Sequence, residues 1–224
     1  MKRDVTVILI ARTGSTRCPR KVIKPFINES SLFELMCKEL KKIDYPIAAA
    51  VGDDELIEIA NRLDVPILHR TKEEVTIATP LVKVFKCVEQ CKTSHAMLVS
   101  PCTPFLTAET INTSCRVFCE SEEWMSMAAV IKEQNWFFDE NRKPLVPINV
   151  QNMTTNELCV YAMANVYDIF PVDRFMKDGI FYTFDSLNDP YLYEIPKNEA
   201  FDIDDPEDFE LGRHIYKYQM KQNQ

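Results

Sequence analysis

Glycine is scarce in this chain, at only four of 224 residues, whereas proteins on average contain about 7% glycine. Neither the dinucleotide fingerprint G-x-G-x-x-G nor the Walker loop G-x-x-x-x-G-K-[ST] can be found in the sequence. The two commonest phosphate sites built from repeated glycines are therefore excluded. A phosphate site in this protein would have to use side chains and a single well-placed glycine.

Zinc-binding and membrane patterns are also missing. The eight cysteines include no C-x-x-C pair, and there are only three histidines, so a structural zinc site is not expected. Cysteines scattered in this way usually act as small buried side chains, and they stay reduced in the cytoplasm. No apolar stretch reaches transmembrane length and no signal-peptide pattern precedes the first apolar run. We expect a cytoplasmic protein with no membrane partner.

Basic residues are outnumbered by acidic ones, 26 to 34, which gives a net charge of −8. A nucleic-acid partner is not expected, because binding to a phosphate backbone requires a basic face. The composition is otherwise that of a globular protein, with 46% hydrophobic and 27% charged residues. The length suits a single domain over residues 1–224.

Buried-strand and helix patterns alternate along the first 131 residues. Residues 5–11 (VTVILIA) and 47–51 (IAAAV) are apolar runs typical of buried parallel strands. Residues 31–42 have helical spacing, while Asp54, Thr79 and Thr107 are placed to cap three later helices. This alternation predicts an α/β fold with a Rossmann-like, mostly parallel sheet and helices on both faces.

The second part of the chain has a different pattern. Residues 132–160 are rich in proline, asparagine and aromatic residues and predict an inserted arm of hairpins or loops. Two late strands are predicted at residues 180–184 and 191–194, and a closing helix at 206–220. Since ligands bind at the carboxyl ends of strands in such sheets, the loops after Ala11, Val51 and Ser100 are the candidate ligand-binding segments.

The loop after the first strand is strongly basic. Four cations fall within residues 12–21 (RTGSTRCPRK), at the carboxyl end of a buried strand. Gly14 allows a tight turn, and Ser15 and Thr16 add hydroxyl donors. Arginine forks and a lysine point charge together can neutralise a triphosphate. The alternative is a solvated basic loop, but its position at a strand end favours phosphate binding.

A second cluster of charge lies near the carboxyl terminus. In an extended chain Asp202 and Asp204 point to one face, because side chains alternate. Two converging carboxylates suit Mg²⁺, which nucleotidyl transfer uses to shield the triphosphate. The neighbouring acids are expected to be helix N-terminal charges instead; they are Asp205, Glu207 and Asp208.

The basic loop resembles the first motif, A-R-x-G-S-x-R-x-P-x-K, of the cytidylyltransferases that activate acidic sugars. These are the acylneuraminate enzymes, the related Kdo enzymes and a spore-coat polysaccharide branch. The segment 202–208 is similar to that family's D-I-D-x-x-x-D. The resemblance implies a cytidylyltransferase, with CTP phosphates bound by the loop and Mg²⁺ held by Asp202 and Asp204. The loop residues implied are Arg12, Gly14, Ser15, Thr16, Arg17 and Lys21.

The resemblance extends, more weakly, to the middle of the chain. It implies catalytic roles for Arg12, Lys21 and Asp204, and it places Arg70 near the cytosine; by itself, Arg70 would be a solvated loop residue. It also implies a homodimer formed through the arm, for which an aromatic cluster is the candidate contact. That cluster is Trp136, Phe137 and Phe138.

The acceptor is less well defined than the nucleotide. No lysine or arginine lies between Pro147 and Tyr161, where the sialic-acid enzymes grip a sugar carboxylate. Amides and hydroxyls stand there instead, and Arg142 and Lys143 lie earlier in the arm. A different nonulosonate, a Kdo relative and a non-sugar acceptor therefore all remain open.

The reaction we expect is transfer of CMP from CTP to an acceptor hydroxyl, with release of pyrophosphate. One alternative is a nucleotide-sugar-dependent glycosyltransferase, but that would need an Asp-x-Asp where Ser100-Pro101-Cys102 stands. A second is a catalytically inactive nucleotide-binding subunit, against which the two aspartates argue. Nucleophilic catalysis is not expected, because no Cys–His arrangement is present.

Overall fold

The computed structural model describes residues 3–148, 151, 154–155 and 159–222. A seven-stranded sheet forms the centre of the fold, and a two-stranded hairpin lies apart from it. In chain order the elements are β1 (Val5–Ile10), β2 (Pro25–Ile27), β3 (Ser30–Ser31), α1 (Leu32–Leu40), β4 (Ile47–Val51), α2 (Asp54–Arg62), β5 (Ile67–His69), α3 (Lys72–Thr76), α4 (Leu81–Val84), β6 (His95–Val99), α5 (Ala108–Glu120), β7 (Met127–Glu133), β8 (Val160–Pro171), α6 (Val172–Asp178), β9 (Tyr191–Glu194) and α7 (Pro206–Gln222).

The parallel half of the sheet has the strand order β5-β4-β1-β6. The chain winds outward from β1 through β4 to β5, then returns so that β6 lies on the other side of β1. A ligand crevice in an α/β sheet lies where the strand order reverses in this way, beyond the carboxyl ends. The fold therefore places Ala11 and Ser100, which follow β1 and β6, at one crevice.

The other half of the sheet is mixed. The long strand β8 runs antiparallel between β6 and β7, and β9 pairs with β7 in parallel at the edge. The register of β7 against β8 shifts between Ala128 and Val130, and Asn165 nearby has a φ of 55°. Such a bulge bends a strand. The first residues of β8 thus pair with β7 beyond the end of β6.

Both faces of the sheet are buried, which explains the continuous apolar runs. Val7 and Leu9 belong to a core that includes residues of α1, α2 and α5. Ile8, on the opposite face of β1, belongs to a second core with Phe175 of α6. The helices therefore cover both faces, and the predicted α/β class is confirmed.

Several helix boundaries were predicted correctly and others were not. Thr107 caps α5, and its side chain accepts a hydrogen bond from the backbone amide of Thr110. The cap of α2 is Asp53 rather than Asp54. Pro80, not Thr79, precedes α4, which ends after one turn and passes into a 3₁₀ helix at Lys86–Gln90.

The strand predicted at residues 180–184 is wrong, whereas the strand at 191–194 is confirmed. Residues 180–184 form an irregular loop in which Phe184 has a φ of 63°. The backbone of this loop forms hydrogen bonds with side chains instead of with a neighbouring strand. The Thr183 amide donates to Asp189 Oδ2, and the Phe181 carbonyl accepts from Arg174. Local side-chain partners such as these compete with a strand ladder.

The segment between β7 and β8 contains a small hairpin. Phe138 and Pro144 form an antiparallel bridge, and the Leu145 amide donates to the Phe137 carbonyl at 2.8 Å. Phe138 and Leu145 are 52% and 65% exposed. Two of the amides expected in the arm, Asn152 and Asn156, lie outside the described residues.

No helix within the described part of the chain combines the length and apolarity needed to cross a bilayer.

Candidate active site

A cavity of about 270 Å³ lies at the crevice between the carboxyl ends of β1 and β6. Its lining comes from the end of β1, the basic loop and the loop after β6. These residues are Ile10, Ala11, Arg12, Gly14, Ser15, Thr16, Arg17, Lys21, Val22, Ser100, Pro101 and Cys102. All six loop residues predicted to bind phosphates therefore line one cavity.

The basic loop is fixed at its first turn by Asp53. The amide and hydroxyl of Thr13 donate to the two carboxylate oxygens of Asp53, at 3.2 and 2.6 Å. Ser15 holds the next turn, because its hydroxyl accepts from the Cys18 amide at 3.3 Å. Gly14 between them is exposed, and a Cβ built there would meet no heavy atom within 4 Å. The space beside Gly14 is therefore open to a ligand.

Arg12 stands at the boundary between this cavity and a second one. Its Nη1 donates to the carbonyls of Val75 and Ile77, both at 3.2 Å. The second cavity, of about 290 Å³, is mainly apolar. It is lined by Ile10, Ala11, Arg12, Arg70, Ile77, Ala78, Leu81, Val84 and Phe85. A ligand with a charged part and a flat apolar part could occupy both cavities across Arg12.

Arg70 is buried, so the interpretation as a solvated loop arginine is wrong. Its guanidinium donates to the carbonyls of Ala11, Glu74 and Val84 at 2.7 to 3.1 Å. Burial lowers the pKa of this arginine below its usual value. Arg70 therefore holds the end of β1 against α3 and α4, and it does so from the wall of the second cavity.

Lys21 joins the basic loop to the carboxyl-terminal segment. It is only 8% exposed, and its ammonium donates to the Ile203 carbonyl. The same Nζ lies 3.7 Å from Asp204 Oδ1. The Ile203 amide donates to the Cys102 carbonyl at 2.9 Å, which connects this segment to the loop after β6. Motifs about 180 residues apart in sequence thus meet at one cavity.

An apolar cluster beneath the loop holds this junction in place. Ile203 is fully buried, as the alternation of residues 201–204 predicted. It packs with residues of the loop, the β2–β3 hairpin and α7, and burying each such side chain contributes about 1.5–3 kcal/mol. The cluster comprises Cys18, Phe26, Ile27, Leu32, Ile203 and Phe209.

The two aspartates differ in their surroundings. Asp204 Oδ1 is 2.6 Å from Arg17 Nη2 in an exposed ion pair. Asp202 makes no hydrogen bond or ion pair with any residue that the structure describes. Burial, and then the Asp204 charge, raise the pKa of Asp202, while Lys21 and Arg17 lower it in part.

This donor set fits a divalent cation bound together with phosphates. Within the described residues, no three His, Cys, Asp or Glu side chains gather as a complete metal cage. Mg²⁺ is usually held by one or two carboxylates, water and substrate phosphates, and the carboxylates of Asp202 and Asp204 match those protein donors in type and number. The nearby acids do act at the helix terminus: Asp208 accepts from the Asp205 amide, and Asp205 accepts from the Asp208 amide.

Asp53 and Thr13 were not among the predicted site residues. The sequence did contain a signal, since Asp53 lies two residues after the end of β4, at the carboxyl edge of the sheet. The partnership itself depends on the tertiary arrangement, because β4 and β1 are neighbours only in the folded sheet.

Comparison with solved structures identifies the fold. The chain is similar to a CMP:2-keto-3-deoxy-manno-octonic acid synthetase complexed with CTP, with a TM-score of 0.69, 8% identity, and 96% of this chain and 99% of that one covered. It is also similar to 4-diphosphocytidyl-2C-methyl-D-erythritol synthase from Anaerococcus prevotii, with a TM-score of 0.66, 11% identity, and 96% and 97% covered.

A third structure, a cytidylyltransferase from Leptospira borgpetersenii, has a TM-score of 0.61, 14% identity, and 97% of this chain and 87% of that one covered. No protein-family model matches the chain, and no curated protein matches it. At such low identity the likeness establishes the fold alone. The protein has the mostly parallel α/β fold that these structures share.

Proposed function

We propose that this protein is a CTP-dependent cytidylyltransferase. The observation that carries the proposal is the contact of Arg17 and Lys21 in the basic loop with Asp204, beside the carboxyl-edge crevice. A structure of the same fold is named as a complex with CTP. The sequence motifs alone suggested a triphosphate loop and a carboxylate pair, and in the structure Lys21 connects them.

The reaction is an in-line displacement. An acceptor hydroxyl oxygen bonds to the α-phosphorus of CTP and loses its proton to water, and the bond from that phosphorus to pyrophosphate breaks. Arg12, Arg17 and Lys21 orient the triphosphate and stabilise the charge that develops on the leaving pyrophosphate. Asp202 and Asp204 would hold Mg²⁺, which supplies charge shielding and lowers the pKa of the attacking hydroxyl. Orientation and electrostatics supply the catalysis.

The second cavity is a candidate for the nucleoside. Its apolar lining includes Ile77, Leu81 and Phe85, and it shares Arg12 with the polar cavity. A nucleoside triphosphate has this division between a flat base and a charged tail. The preference for CTP over other nucleotides rests on the resemblance of the two motifs and not on a contact with the base.

The acceptor is proposed to be a hydroxyl compound, an acidic sugar of the nonulosonate or Kdo class or a related polyol. A homodimer formed through the arm is part of the proposal, since the arm leaves Phe138 and Leu145 exposed. Large exposed apolar side chains at an extended segment favour a protein interface.

Release of pyrophosphate tests the proposal. The protein is incubated with Mg²⁺, each of the four nucleoside triphosphates in turn, and a panel of acidic sugars and uncharged polyols. We expect release with CTP and one class of acceptor only. Release with another nucleotide alone would overturn the base assignment.

Two further outcomes identify the alternatives. If the protein binds CTP but releases no pyrophosphate with any acceptor, the inactive-subunit alternative is favoured. If it instead hydrolyses or transfers from a nucleotide sugar, it is a glycosyltransferase. The second result is not expected, because Ser100, Pro101 and Cys102 occupy the position of the Asp-x-Asp motif.

A further inference from the structure

Arg17 and Asp204 neutralise each other across the candidate active site. Arg17 Nη2 lies 2.6 Å from Asp204 Oδ1, and Lys21 Nζ lies 3.7 Å from the same oxygen. In the proposed function, however, Arg17 binds phosphate and Asp204 binds a cation. The two groups that the substrates need are therefore paired with each other in this structure.

The two cations on Asp204 are not equally free to leave it. The Lys21 side chain is 10% exposed and its ammonium is held by the Ile203 carbonyl, so it stays in place. The Arg17 side chain is 66% exposed, that of Asp204 is 41% exposed, and Arg17 makes no other hydrogen bond with the described residues. Exposed ion pairs are weak, so a triphosphate can displace this one at little cost.

We propose that Arg17 is an exchangeable partner that couples nucleotide binding to cation binding, an inference that rests on the proposed function. Without nucleotide, Arg17 lies on Asp204 and its positive charge opposes a cation at that carboxylate. When the triphosphate binds, the Arg17 guanidinium moves to a phosphate oxygen. Asp204 is then free of the arginine, and the site gains a negative carboxylate where the cation is required.

The first test measures Mn²⁺ binding without nucleotide, by electron paramagnetic resonance of the free ion. Arg17→Ala should bind Mn²⁺ more tightly than the wild type, by up to about fivefold, which is the upper end of what an exposed pair supplies. Arg20→Ala is a matched control. It removes the same charge from the same loop, but Arg20 pairs with Glu55 at 2.7 Å and not with Asp204.

A double variant shows that the gain acts through Asp204. Arg17→Ala combined with Asp204→Asn should bind Mn²⁺ no more tightly than Asp204→Asn alone. In the presence of CTP the effect of Arg17→Ala should change sign and weaken Mn²⁺ binding, because the nucleotide has then lost a phosphate ligand. A uniform loss of structure cannot tighten binding in one condition and weaken it in the other.

The second test is reciprocal and needs no metal. CTP binding is measured by calorimetry in excess chelator. Asp204→Asn should bind CTP more tightly than Asp202→Asn, since only Asp204 competes with the phosphates for Arg17. Both changes remove one carboxylate from the same segment, so a difference between them reports the ion pairs that Asp204 makes and Asp202 does not.

The outcomes distinguish the coupling from the proposed function. If Arg17→Ala and Arg20→Ala bind Mn²⁺ equally, or the two asparagine variants bind CTP equally, the exchange is overturned even if the wild type turns over CTP. If the wild type binds no nucleoside triphosphate, the proposed function fails and the coupling fails with it.

Discussion

At the scale of single residues, two of the four glycines have opposite surroundings. A Cβ on Gly52 would lie 2.4 Å from the backbone oxygen of Arg70, whereas a Cβ on Gly14 would meet nothing within 4 Å. The first glycine is required by the packing of backbone on backbone. The second glycine is not required by the protein's own packing. Its lack of a side chain instead leaves space in the cavity that it lines.

The two alanine variants should therefore differ. Gly52→Ala should lower the free energy of unfolding by about 1–3 kcal/mol, as overpacking does. Gly14→Ala is the matched control and should leave the stability unchanged while it weakens nucleotide binding. Urea denaturation and CTP titration measure the two effects. Equal stabilities would show that the loop around Arg70 can move away from Gly52.

Asp204 is the residue on which the proposed catalysis most depends. Asp204→Asn should abolish pyrophosphate release with CTP. The neutral amide is a much weaker Mg²⁺ ligand than the carboxylate, and without Mg²⁺ the charge of the triphosphate is not shielded. Circular dichroism and the melting temperature should stay close to those of the wild type, since the Asp204 side chain is exposed. A fully active variant would exclude Asp204 from the metal site.

Asp168 is a half-buried carboxyl on β8 that the proposed reaction does not use. Burial raises its pKa to about 6, although a hydrogen bond with Tyr182 lowers it in part. The folded protein therefore binds the carboxyl proton of Asp168 more tightly than the unfolded chain does, because an aspartate in an unfolded chain has a pKa of about 3.9. Stability from this group is therefore present at low pH and is lost as the pH rises from about 4 to about 6.

Asp168→Asn should remove this pH dependence. The variant should be more stable than the wild type by about 2 kcal/mol at pH 7.5, and the difference should vanish near pH 4. Asp185→Asn, in the exposed loop nearby, controls for loss of an acidic charge. Denaturant midpoints of the wild type and the variant are measured across this pH range. A difference in stability that does not change with pH would show that Asp168 ionises normally.

At the scale of the elements, a buried ion pair fixes the loop between α6 and β9. Arg174 reaches the two carboxylate oxygens of Asp189 at 2.8 and 3.0 Å, and Asp189 also accepts from Ser126 and Thr183. Burial by itself would raise the pKa of Asp189, but these donors outweigh it and hold the pKa below the usual value. The loop thus has a fixed path without strand pairing.

Loss of one member of this pair should be costly. Asp189→Asn should lower the free energy of unfolding by about 3–5 kcal/mol, because it leaves the Arg174 charge buried and unpaired. The double variant Arg174→Met with Asp189→Leu should recover part of that loss. Guanidinium unfolding of the three proteins tests the interpretation, and a larger loss in the double variant would contradict it.

At the scale of the whole molecule, the arm is the candidate contact between subunits. Phe138→Asp should convert the proposed homodimer to a monomer, as measured by light scattering after gel filtration. Leu187→Asp is the control, because Leu187 is 91% exposed and lies in the loop between α6 and β9. A wild-type protein with the mass of one chain would contradict the homodimer.

Local patterns in the sequence were enough to predict the fold class and the two candidate motifs. Continuous apolar runs such as residues 5–11 predict buried parallel strands because both faces of those strands must be covered. The basic loop and the alternation around Ile203 were visible for the same reason: charge, turn chemistry and side-chain alternation act over a few residues. The strand at 180–184 was mispredicted because its partners, Arg174 and Asp189, are set by packing.

Only the tertiary structure decided how these segments combine. The order of the strands puts β6 beside β1, and this places the basic loop, the loop after β6 and residues 202–204 around one crevice. The tertiary structure also shows that Arg70 is buried and that Arg17 forms an ion pair with Asp204. No local sequence pattern indicates either of these two features. Long-range contacts of this kind depend on the packing of the whole chain. The charges and hydrogen-bonding groups that take part in them are set by the sequence itself.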